Sequence, residues 1–253
     1  MEVKNLIRAT VVLFLSDCTV RAAIPSFNDF DRAREEIMKR PEIVYDSTFC
    51  SEIASGEDKV ACRLKDIPSI GFLVCKKAKY DETPCKDIIE TELANFLKLR
   101  SENINVVTVD KKPVENIRCG ATTDQMCSGF LEAWIDQTYG EFGHVRDHIA
   151  EGTVGQLVEK IIKFTRKDEL QTTTSDLRKI VEYMQPSSKE HNYKQICDLQ
   201  GFFLIDGGFL INDTPEINEN IATKGVCWDG EPTTEQVLSG LKNMIDALNH
   251  AMH

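Results

Sequence analysis

Residues 123–140 read TDQMCSGFLEAWIDQTYG, and how this stretch folds decides the class of the chain. Thr123 is a good N-cap. Behind it Cys127, Phe130, Leu131, Trp134 and Ile135 recur at helical spacing, and Gly140 supplies a stop. The spacing predicts a helix, and Ser128-Gly129 would lie inside it, a poor place for a serine nucleophile.

Working outward, the same period recurs. Ser26 caps a helix carrying Phe27, Phe30, Ala33, Ile37 and Met38, ended by Pro41. Thr83-Pro84 opens a helix that runs to about Arg100 with Cys85, Ile89, Leu93 and Phe96 inward. A short amphipathic piece bears Phe142, Val145 and Ile149. Thr153 and Gln156 have capping-box spacing ahead of Val154, Leu157, Val158, Ile161 and Ile162. Ser175 caps a helix with Leu177, Ile180, Val181 and Met184, stopped by Pro186. Thr233, with Gln236 three residues on, opens the last helix. Its stripe is Val237, Leu238, Leu241, Met244, Ile245 and Leu248, interrupted by Gly240.

Between these segments, residues 42–71 read as irregular. Residues 71–75 are a short apolar run of either type, and Ile104–Val109 is either a strand or a buried extended linker. Phe202–Ile205 and Phe209–Ile211 flank Asp206-Gly207-Gly208, a strong hairpin signal. Apolar residues on both faces imply burial against helices. The expectation is a mainly α domain over residues 24–253: about seven helices, stapled by disulfides, with one small β-hairpin near 202–211. No β-α-β alternation suggests a nucleotide-binding sheet.

The amino terminus has its own logic. Lys4 and Arg8 precede the apolar run 9–15, and Arg21-Ala22-Ala23 follows. This is the layout of a secretory signal peptide over residues 1–23, with cleavage near Ala22 or Ala23. The run is far shorter than the roughly 20 apolar residues of a membrane helix, and no other window approaches that length, so no transmembrane segment is expected.

Cysteine count agrees independently. Nine cysteines include Cys18 in the presumed leader. Eight remain: Cys50, Cys62, Cys75, Cys85, Cys119, Cys127, Cys197 and Cys227. An even number after removal of a leader fits four disulfides in an oxidising compartment. The close pairs typical of zinc sites are absent, as is Cys-x-x-Cys. Pairing of neighbours (50–62, 75–85, 119–127, 197–227) is the simplest of the connectivities, and sequence alone does not fix it.

Net charge is −11 over 253 residues. Residues 1–23 carry +1 and the remainder −12, so an acidic surface repels phosphate backbones and nucleic-acid binding is not expected.

Candidate sites are few. His144 and His148 stand four apart and could share a metal, but Val145 occupies the place of the glutamate in His-Glu-x-x-His. Asp206, Asp213, Asp229 and Glu231 cluster in the loop-rich carboxyl third, where turn chemistry and solvation explain them more simply than hydrolysis does. His191, His250 and His253 have no evident partner. Phe202, Phe203, Phe209 and Leu210 could line an apolar pocket or form a patch. Asn212-Asp-Thr214 is a glycosylation sequon, followed directly by Pro215. No cofactor motif is present. Saposin-like lipid binders and odorant-binding-type carriers share the helical, bridged, exported style, but their cysteine patterns do not align here. The function expected is extracellular binding without catalysis, the partner being a protein or a small apolar ligand. Lipid carriage and hydrolysis by carboxylates or a metal at His144 and His148 are the alternatives.

Overall fold

A computed structural model describes residues 25–39, 49–55, 59–75, 85–118, 126–186, 192–197, 199–212 and 217–253. The expected leader, Cys119, Thr83-Pro84, Thr123, His191, Asp213 and Thr214 lie outside the described residues.

The described chain is mixed α/β, not mainly α. It has six α-helices and ten strands in three antiparallel sheets. The largest sheet has the order β1-β2-β3-β5-β4. Its strands are β1 (Cys50–Ser55), β2 (Lys59–Leu64), β3 (Ile70–Cys75), β4 (Val114–Arg118) and β5 (Met126–Ala133). The first three form a meander out of the segment whose sequence reads as irregular. Helix α2 (Cys85–Ser101) then crosses over before β4, and β5 inserts between β3 and β4.

The helix expected over 123–140 is therefore overturned: its centre is β5. The reason is burial on both faces. On β3, Ile70, Phe72 and Val74 pack with Phe30, Ala33 and Ile37 of α1 (Phe27–Lys39), whereas Leu73 and Cys75 face the core that holds Ile89, Leu93 and Phe96 of α2. On β5, Leu131 faces the α1 side and Phe130 the α2 side. A strand covered twice loses the polar alternation that advertises a strand, and its apolar residues then match a helical template by coincidence. Gly129 marks the true state. A Cβ there would sit 2.3 Å from the Leu73 carbonyl oxygen, a close approach between backbones.

The second sheet, β6-β8-β9, contains the expected hairpin. Strands β8 (Gln200–Leu204) and β9 (Phe209–Ile211) flank a turn in which Gly207 and Gly208 have φ of +81° and +106°. These angles favour glycine. Strand β6 (Gly140–His144) adds to β8, so the expected amphipathic helical piece is a strand leading into a short helix, α3 (Val145–Ala150). Segment 104–110 laces the two sheets together as buried extended chain. Val107 N–H donates to Ile211 O at 3.0 Å, and Ala133 N–H to Thr108 O at 2.7 Å.

Helices α4 (Val154–Phe164), α5 (Leu170–Met184) and α6 (Thr234–Met252) cover the β6-β8-β9 side and share its core. Helix α5 begins five residues before Ser175, which therefore lies in its interior. The Thr233–Gln236 capping box on α6 is formed in both directions. The one expected at Thr153 is not, because its hydroxyl engages the His148 ring instead. Gly240 in α6 loses helix propensity, but a Cβ there would meet Ile149 at 2.5 Å, so it is what allows α3 to approach. A two-stranded ribbon, β7 (Tyr193–Ile196) with β10 (Ile217–Ile221), completes the described fold.

Candidate functional site

Two disulfides between described cysteines staple this frame. Cys50–Cys62 joins β1 to β2, and Cys197–Cys227 ties the end of β7 to the loop before α6, with Cα atoms 5.5 and 5.6 Å apart. Both are neighbour pairs. Cys75 is also disulfide-bonded. The side chains of Cys85 and Cys127 lie outside the description.

The structure disperses the other sequence candidates. His144 is the N-cap of α3; its ring packs edge-on against Phe142 and its Nδ1 lies 3.6 Å from Asp147 Oδ2. His148 Nδ1 is 2.7 Å from the Thr153 hydroxyl. Among the described residues no group of three or more His, Cys, Asp or Glu could hold a metal ion. Asp206 pairs with Arg166 at 2.9 Å, while Glu231 binds Arg146. The four aromatic-run candidates divide. Phe203 and Phe209 are core, with rings 4.5 Å apart. Phe202 leans edge-on to Phe142 at 5.0 Å, and Leu210 is half-buried against the same core. Asn212 is half-buried, and its N–H donates to Gln200 O at 3.1 Å.

What sequence reasoning passed over is a cleft of about 330 Å³ where three elements end. Glu102 follows the last residue of α2. Glu182, Tyr183 and Gln185 form the last turn and cap of α5. Asn192 and Lys194 come from the start of the ribbon. Two helix carboxyl ends meet here, each carrying partial negative charge. Glu102 and Glu182 add full negative charges, both exposed.

Tyr183 is 8% exposed, and its hydroxyl has no hydrogen-bond partner among the described residues. The Lys194 ammonium sits 4.9 Å from the centre of its ring, on the π face. Burial, followed by the charges of Glu219 and Glu102, pushes the phenol up to about 12. It is a neutral hydroxyl at any physiological pH. Behind Lys194, its cross-strand partner Glu219 accepts from Lys98 at 2.8 Å, and that bond, with Lys98 and Lys194 charge, holds the carboxyl below its ordinary value. Among the described residues the neighbourhood thus sets three carboxylates against two ammonium groups.

A second unusual group lies at Arg146, in the first turn of α3. Its side chain is 4% exposed, its Nε donates to Glu231, and Trp228 lies 5.5 Å from its guanidinium carbon. Both terminal guanidinium nitrogens are buried without a hydrogen-bond partner among the described residues. Neither site was legible. Tyr183 stands one residue before Met184 on an ordinary helical stripe, and Glu231 is 85 residues from Arg146.

No protein-family model matches the chain, and no curated protein matches it in sequence.

Proposed function

We propose that this chain is an exported, non-enzymatic binding protein. Its disulfide-bridged α/β frame presents the cleft between the ends of α2 and α5 to a soluble partner or ligand. The observation that carries the reading is the character of that cleft. Its lining is polar, its carboxylates are exposed and its one phenol hydroxyl is buried, so it offers charge and polar contacts without an accessible nucleophile among the described residues. Bridged, buried Cys62 and Cys197 support residence where thiols oxidise, as do the signal-like residues 1–23. None of the described helices is long and apolar enough to cross a membrane.

Carriage of a small apolar ligand and hydrolysis at His144 and His148 are less well supported. The cleft is polar, and the two histidines are engaged by Asp147 and Thr153. Native mass spectrometry of the protein recovered from culture medium tests the proposal. A retained small molecule or protein partner is the expected result; turnover of a generic ester, peptide or glycoside panel by the same preparation would overturn it.

A further inference from the structure

We propose that the Cys197–Cys227 disulfide is a redox latch: its reduction by a dithiol lifts a short strap off Arg146 while the fold around it stands. The device goes beyond the binding reading and does not depend on it.

The strap is residues 226–231, and both its ends are fixed. Gly225 O accepts from the Thr234 amide at 3.0 Å, and buried Pro232 leads into the Thr233 cap of α6. Between these points, among the described residues, the one backbone hydrogen bond is internal, from Glu231 N–H to Trp228 O at 3.2 Å. Side chains hold the strap down instead. Cys227 is bridged to Cys197 at the end of β7, the Trp228 ring lies against the Arg146 guanidinium, and the Glu231 carboxylate accepts from Arg146 Nε. The seat beneath is a poor one for a charge. Nη1 and Nη2 of Arg146 are buried without a hydrogen-bond partner among the described residues, and water satisfies both once the strap lifts. One ion pair and one ring contact oppose that gain, so the covalent bridge is what keeps the strap seated.

Access favours this bridge over Cys50–Cys62. Thiol–disulfide exchange needs a sulfur that a thiolate can reach. Cys50, Cys62 and Cys197 are buried, whereas Cys227, in the strap, is only half-buried. A thiolate of the dithiol attacks Cys227 Sγ. The electron pair of the broken S–S bond leaves on Cys197 Sγ, which takes a proton. The second thiolate then closes the reductant's own disulfide and expels Cys227, which is protonated in turn. Two electrons and two protons pass to the bridge, and the dithiol is oxidised. With Cys227 free, the strap swings on its fixed ends and carries Trp228 and Glu231 away from the guanidinium.

Dithiothreitol titrated into the full, oxidised chain tests this. Freed thiols are alkylated, phenylglyoxal then labels open arginines, and peptide mass mapping reads both. Cys197 and Cys227 are expected to be alkylated while Cys50–Cys62 is still linked. At that point Arg146 labelling should rise about tenfold, with the other arginines within about twofold and thermal unfolding still cooperative. Cys197→Ser combined with Cys227→Ser should show the same open Arg146 without reductant. Reduction of Cys50–Cys62 first or together with its neighbour overturns the latch. So does Arg146 labelling that is unchanged once Cys197 and Cys227 are free, or a protected Arg146 in the folded double variant. Loss of cooperative unfolding, on reduction or in the variant, makes the bridge a structural staple and overturns the latch as well.

Discussion

Asp176, buried on α5, accepts a hydrogen bond through Oδ2 from the Phe209 amide at 3.1 Å, joining a helix to the first residue of β9 across 33 positions of sequence. One residue away, Gly208 N–H donates to the Thr173 hydroxyl at 2.9 Å. The hairpin turn is thereby docked on α5 by side chains rather than by its own strands alone. Asp176→Ala leaves the buried Phe209 N–H unpaired and removes the ion pair with the half-exposed Lys179. We expect a loss of about 2–3 kcal/mol, read as a lower urea midpoint at unchanged slope. Asp176→Asn keeps one acceptor and should recover part of it.

Gly129 tests the architecture itself. In the structure a Cβ there meets the Leu73 carbonyl at 2.3 Å and the Phe72 ring at 2.8 Å, so Gly129→Ala should destabilise by roughly 1–3 kcal/mol. Gly155 in α4 faces open space, and Gly155→Ala should be neutral or stabilise by up to about 1 kcal/mol. Thermal melts of the two variants distinguish the strand from a helix over 126–133, because a helix would gain from both changes.

How much of this was legible follows from where each element is buried. Helices with one wet face, such as α1 and α6, are readable in outline: on α1 Phe30, Ala33 and Ile37 are buried as expected, whereas Phe27 and Met38, expected on the same side, are exposed. The 206–208 turn is readable because only glycine accepts its backbone angles cheaply. Strands β3 and β5 are not, since both faces are covered and the period of two is erased. The cleft was illegible for another reason. It is assembled from the ends of three elements, at 102, 182–185 and 192–194, and no local pattern links them.

Arg146 gives a sharp asymmetry. Removing the carboxylate hydrogen-bonded to it, by Glu231→Ala, leaves a buried charge without a counter-ion among the described residues and should cost about 3–5 kcal/mol. Removing the charge itself, by Arg146→Met, should leave stability within roughly 1–2 kcal/mol of the parent, because the orphaned nitrogens go with it. Chemical denaturation of both variants and the double variant gives the coupling directly.

Tyr183 makes a pH prediction. In the unfolded chain the phenol ionises near its ordinary value of 10, and in the folded protein at about 12. Between those values the folded state holds more protons than the unfolded one, so stability falls as pH rises. The contribution is fully present below 10 and is lost as pH passes through 12. Ultraviolet titration should show one tyrosine ionising later than the rest, absent in Tyr183→Phe. The alkaline limb of the stability curve should flatten in that variant.

The central claim is that the chain's cysteines are joined in a compartment outside the reducing cytosol. Non-reducing peptide mapping of the protein recovered from medium, with its amino terminus sequenced, addresses it most directly. The account predicts linked peptides for Cys50–Cys62 and Cys197–Cys227 and a mature start near residue 23 or 24. Free thiols at those four positions, on a chain retaining Met1 inside the cell, would contradict it.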